Sequence, residues 1–162
     1  MTEPAAPVTV DIQVASPRWD GTDVRDVIER AARAALAAAR PGSGAAEISL
    51  VLADDAFQRR LNRDWRGRDA PTNVLSFPAD PSARGHLGDI VLAYETVARE
   101  AEAMAKPFGH HVAHLVVHGV LHLVGYDHGT DREADAMEAL EVEVLARLGV
   151  PNPYEESAAT GA

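Results

Sequence analysis

The chain has 162 residues, 46% of them apolar, no cysteine, and a formal net charge of −10. That length suits one domain with a real core, and the lack of thiols excludes disulfides and thiolate metal sites, so a metal would need nitrogen or oxygen ligands. No run of about 18 apolar residues argues for a membrane span, and Met1 to Pro7 lacks the basic start and apolar stretch of a signal peptide, so a cytoplasmic location is expected.

Val8 to Val14 alternates apolar and polar side chains, the period of a half-buried strand. Asp23 is expected to cap a helix whose apolar stripe is Val24, Val27, Ile28, Ala31, Ala35 and Ala38, stopped by Pro41-Gly42. Glu47 to Ala53 reads as a second strand. Asp54 or Asp55 then caps a short helix with Phe57 and Leu61 inward, Arg59, Arg63 and Arg66 outward, and an end near Gly67. Between Arg59 and Arg68 five arginines (59, 60, 63, 66, 68) stand against one acid, Asp64, a local charge of +4. Because charges beyond a Debye length of about 8 Å are largely screened, this cluster matters more to an anionic partner than the net charge.

Asn73 to Phe77 and Leu87 to Ala93 read as the third and fourth strands, separated by a Pro/Gly/Ser-rich loop expected to be mobile. Gly88-Asp89 is expected to open an edge strand, with a bulge as the structural reading. Thr96 to Lys106 reads as a helix broken by Pro107, and His110 to Val124 as a central helix apolar on nearly all sides. Thr130 and Glu133 form a capping box for a last helix with Ala134, Met137, Leu140, Val144, Leu145 and Leu148 inward, closed by Gly149 and Pro151. The tail from Glu155 is small and polar and is expected to be disordered. The order βαβαββααα predicts one α+β domain over residues 1–154: a small mixed four-stranded sheet, about five helices, and the histidine helix across one face.

That helix carries the chemistry. His118 and His122 are four residues apart, which puts both imidazoles on one helical face about 6 Å apart along the axis. Gly125 can take the left-handed conformation that ends a helix, and His128 can then return to the same point. Three histidine ligands leave a fourth tetrahedral position open, the mark of a catalytic rather than a structural zinc site. His114 lies on the same stripe and reads as a supporting or substrate-facing residue, while His110 and His111 carry no assignment.

The spacing HxxxHxxGxxH is also that of the metzincin proteases, whose glutamate base follows the first histidine. Here that position is Gly119, and no acid within the helix replaces it. Asp127, beside His128, is better suited to orienting a ligand ring. Peptide hydrolysis therefore loses its base. Three neutral imidazoles leave a bound ion its full +2 charge, which suits an anionic, phosphoryl-bearing substrate with an arginine fork nearby.

Arg66-Gly-Arg-Asp-Ala-Pro-Thr72-Asn73-Val-Leu-Ser76-Phe77-Pro78, then Gly88-Asp89-Ile-Val-Leu, then His114 through His118, His122 and Gly125 to Asp127-His128 resemble the YbeY family of bacterial endoribonucleases, over residues 45 to 148. The resemblance implies one zinc on His118, His122 and His128 and an RNA-cleaving role for Arg66; nickel suits similar sites. It implies cleavage of single-stranded RNA in ribosomal RNA maturation, including the 16S 3′ end, and in ribosome quality control, with ribosomal or small-subunit proteins as partners. Thr72, Asn73 and Ser76 are candidates to hold sugar or phosphate, with backbone-satisfying turn and strand roles as the bland reading. Two rivals stand beside this one: a metzincin-like protease without the usual glutamate, and a non-catalytic ribosome-associated factor with structural zinc.

Overall fold

A computed structural model describes residues 8–40, 45–70, 72–80, 85–127 and 129–155. In chain order it contains β1 (Val8–Val14), α1 (Arg25–Ala39), β2 (Ala46–Ala53), α2 (Asp55–Arg66), β3 (Val74–Pro78), β4 (His86–Ala93), α3 (Tyr94–Ala103), α4 (Phe108–Leu123) and α5 (Asp131–Arg147). This is the expected order, in one small α+β domain.

The four strands form one mixed sheet in the order β1-β2-β4-β3. β1 runs parallel to β2 and β2 to β4, while β3 returns antiparallel on β4 and forms an edge. Ile48, Leu50 and Leu52 of β2 and Ile90 and Leu92 of β4 point to one face and are buried. Against them pack Ile28, Ala31, Ala32, Ala35 and Leu36 of α1 and Val112, Val116 and Val120 of α4, in one apolar cluster. The alanines on α1 have no bulk beyond Cβ, so α4 can lie close to it. Met137, Val144 and Leu145 of α5 join the same cluster. By strand alternation Val51, Phe77, Asp89 and Val91 face the other way, and α2 leans over them.

Three expectations change. Asp23 is not a cap: it adopts φ +57°, and Val24 occupies the N-cap without a side-chain bond. Gly88 does not open an edge strand, because β4 lies inside the sheet. The bulge reading holds: the register slips between Glu47↔His86 and Ile48↔Gly88. Finally, the buried side chains of α2 are Gln58 and Asn62, with Phe57 and Leu61 only half-buried. Gln58 donates to the carbonyls of Val91 (3.0 Å) and Thr72 (3.3 Å), and Asn62 to that of Ala70 (2.8 Å). These amides replace apolar packing because the segment entering β3 and the Val91 carbonyl of β4 need donors.

Other local readings hold. Asp54 caps α2, its Oδ1 accepting from the Phe57 N–H at 2.8 Å, and Gly67 ends the helix at φ +71°. Thr130 caps α5 through the Glu133 N–H at 3.1 Å. Pro41-Gly42, the segment 81–84 and the tail from 156 lie outside the described residues. Among the described residues no helix is long and apolar enough to cross a membrane.

Candidate metal centre

α4 is buried on most sides, so side chains on its one open stripe meet whatever lies above it. His118 and His122 are on that stripe, one turn apart, with ring centroids 4.5 Å apart. The Nδ1 of His122 is 3.0 Å from the Tyr126 carbonyl, which can only accept, so this nitrogen donates. The Nδ1 of His118 is 2.7 Å from Glu141 Oε1. Burial alone would push the Glu141 carboxyl up, but hydrogen bonds from His114, His118 and Tyr154 hold it near 2, so it too accepts. Both rings are therefore Nδ1–H tautomers, which makes both Nε2 atoms acceptors. These two atoms face each other at 3.0 Å.

Two lone pairs at that separation repel unless a cation lies between them. A shared proton satisfies the pair, and so does a metal ion. The donor set favours the metal: imidazoles whose far nitrogens are secured by a carboxylate and a backbone carbonyl are the usual surroundings of metal-bound histidine. The residues present thus fit a divalent ion. His128, the third expected ligand, lies outside the described residues.

The two rings open onto a cleft of about 610 Å³ lined by Arg66, Thr72, Asn73, Val74, Ser76, Pro78, His118, His122, Gly125, Tyr126 and Asp127. Val74, Ser76 and Pro78 are alternate residues of β3, so one face of the edge strand forms the wall opposite α4. Arg66 reaches the cleft from the last turn of α2, its Nη2 3.5 Å from the Ser76 carbonyl, a weak tether. Gly125 turns the chain after α4 with φ +105°.

The structure thus brings Arg66, Thr72, Asn73, Ser76, His118, His122 and Asp127 to one cleft. Their polar groups differ in what they already hold. The Asn73 amide donates to Glu100 at 2.9 Å and accepts from the Val74 N–H at 2.7 Å, so it serves the start of β3, the bland reading. Ser76 Oγ donates to the Gly119 carbonyl at 3.3 Å and ties β3 to α4. His114 does not line the cleft. Its Nε2 lies 3.5 Å from Glu141 Oε1 and 3.3 Å from the Tyr154 hydroxyl, behind the carboxylate that holds His118.

Glu141 and Tyr154 were not anticipated. Glu141 is 0% exposed, and its other oxygen accepts from the Tyr154 hydroxyl. Glu141 had a signal in the sequence: it interrupts the stripe Met137, Val144, Leu145 at an inward position. Gly119 is explained as well. A Cβ there would lie 3.1 Å from Ser76 Oγ and 3.2 Å from two Ile90 carbons, so the metzincin glutamate position is pressed against the sheet.

Known proteins resemble the chain over most of its length. A family model described as Endoribonuclease YbeY matches residues 11–149. A protein of that name from Bradyrhizobium sp. strain BTAi1 is 52% identical over 94% of this chain and 96% of its own length. Another, from Methylocella silvestris, is 60% identical over 71% of this chain and 66% of its own. The solution structure of a Thermotoga maritima protein, 24% identical, superimposes with a TM-score of 0.59 over 92% of this chain and 97% of that one, a likeness of fold.

Proposed function

Because the chain belongs to the YbeY family of endoribonucleases, we propose that it hydrolyses single-stranded RNA with one zinc ion held by His118, His122 and His128. The observation that carries the metal is the pair of Nε2 atoms aimed at each other with both Nδ1 atoms already donating. Such an ion, when bound, supplies Lewis-acid polarisation of a phosphoryl oxygen.

The chain's own residues supply the rest. Glu141 and the Tyr126 carbonyl fix the tautomer and direction of the two rings, so the lone pairs need no reorganisation. Arg66, weakly tethered to the Ser76 carbonyl, can turn its planar fork onto the phosphate and stabilise the charge that grows in the transition state. Thr72 and Ser76 line the wall where a ribose or phosphate would rest, and Asp127 is the carboxylate of the lining. Processing of the 16S 3′ end, ribosome quality control, contact with small-subunit proteins and a cytoplasmic location belong to the same proposal.

The test uses chelator-free protein and a short unpaired oligoribonucleotide. Near-stoichiometric metal, cleavage abolished by chelation, and cleavage abolished by Arg66→Glu without loss of metal are the expected results. Cleavage by metal-free protein would overturn the metal assignment, and undiminished cleavage by Arg66→Glu would remove that residue from the mechanism. The product ends distinguish attack by water, which leaves a linear phosphate, from attack by the 2′-hydroxyl, which leaves a cyclic one.

A further inference from the structure

The sheet face opposite α4 is mostly polar. Thr9, Asp11 and Gln13 of β1 are exposed on it, and Glu47 and Ser49 of β2 follow. It turns largely apolar at one corner, where Phe57, Leu61, Trp65, Phe77 and Val91, with the Asp89 carboxylate among them, line a groove of about 580 Å³. Trp65 stands over this corner with 73% of its surface exposed and its ring centroid 6.3 Å from that of Phe77, edge to face. By contrast the other tryptophan, Trp19, is 3% exposed and donates its indole N–H to the Ala53 carbonyl.

An indole left in water by a chain that buries its other one points to an occupant. Two observations say which. Trp65 is the neighbour of Arg66, and Pro78 lines both this groove and the metal-side cleft, so the two adjoin at the edge strand β3. Arginines also border the rings: Arg60 lies 5.8 Å over the Phe57 ring, on the most positive stretch of an otherwise acidic chain. An exposed indole, with a guanidinium over a neighbouring ring and a candidate phosphate-cleaving cleft adjoining it, matches an unpaired nucleotide, whose base stacks on the indole face while its phosphates meet arginine.

We propose that the Trp65–Phe77 corner is a base-stacking subsite, which holds an unpaired nucleobase of the RNA strand as it leaves the cleft over β3. The inference rests on the nuclease reading for its substrate. Stacking of this kind is tolerant of base identity, because every base has a π-face. It would favour flexible single strands over duplex without reading sequence.

Trp65 is its own reporter. Titration of the full-length protein with an unpaired oligoribonucleotide should quench the exposed indole saturably, and an oligomer with abasic sites should quench it far less. Trp65→Leu should remove that quenching and raise the RNA concentration for half-maximal cleavage roughly 5- to 100-fold, with a much smaller change in the rate at saturation. Trp65→Phe, which keeps a ring, should restore most of the affinity. If RNA is cut but Trp65→Leu binds as tightly as the wild type, the subsite is refuted and the nuclease reading stands. If quenching is saturable but RNA is never cut, the subsite survives and the nuclease reading falls. A concentration-dependent change in Trp65 emission without RNA, abolished by Trp65→Leu together with self-association, would assign the groove to a second copy of the chain and overturn the proposal.

Discussion

Glu141 is completely buried, and a buried carboxylate is costly unless donors meet its oxygens. Here His118 donates to one oxygen and the Tyr154 hydroxyl to the other, so the charge is retained inside the fold. Tyr154 is affected in return: burial, then the bond to Glu141, raises its phenol well above the usual range. This arrangement holds His118 with its Nε2 toward His122. Glu141→Gln keeps the shape but removes the charge that would make the ring a stronger donor to the proposed metal. Metal affinity should fall about 10- to 100-fold in a competition titration with a chelator, while far-UV circular dichroism stays unchanged. An unchanged affinity would leave Glu141 a packing residue only. The shared face of His118 and His122 was legible from spacing, since α-helical geometry alone puts residues four apart on one face. Their support was not: Glu141 is 23 residues from His118 in sequence, and only the packing of α5 on α4 brings them together.

At the scale of elements, two strands lie closer than side chains would allow. Gly88 has φ +143°, and a Cβ there would stand 2.3 Å from the Phe77 carbonyl oxygen. Since β3 forms the wall of the cleft and reaches the sheet through β4, this glycine sets the position of Ser76 relative to α4. Gly88→Ala combines backbone strain with a clash against main chain, which cannot swing aside. It should cost roughly 3 kcal/mol or more in a urea unfolding experiment. Gly119→Ala, whose neighbours at 3.1–3.2 Å are side-chain atoms, should cost less, on the order of 1–2 kcal/mol. Equal losses would mean that the β3–β4 approach is not under steric control. Element identity was readable because caps and periodicity are local: Asp54, Gly67 and Thr130 act where the sequence puts them. The internal place of β4 was not, because strand order depends on pairing between residues far apart. The inward amides of α2 were hidden for the same reason, since the carbonyls they satisfy belong to other segments.

The whole molecule is acidic, yet the cleft opens beside its most basic helix. The fold makes this possible by distance: β1, with Asp11 exposed, lies three strand spacings from β3, about 14 Å, which exceeds a Debye length of about 8 Å at physiological salt. Not every arginine of α2 is available to RNA. Arg59 is paired with Asp69 at 2.7 Å and Arg63 with Asp64 at 3.3 Å, so each already has a carboxylate beside it that a phosphate would have to displace. If Arg60, Arg66 and Arg68 each meet a phosphate, the slope of log affinity against log salt should be about −2, or roughly a 20-fold loss between 50 and 200 mM. Position should matter as well as charge. Asp64→Asn and Asp11→Asn alter the net charge equally, but only the first lies on α2. At physiological salt Asp64→Asn should tighten RNA binding several-fold, measured with a non-cleavable oligonucleotide, while Asp11→Asn should change it little. Equal effects from the two would show that the overall field, rather than the arginine helix, governs the encounter with RNA.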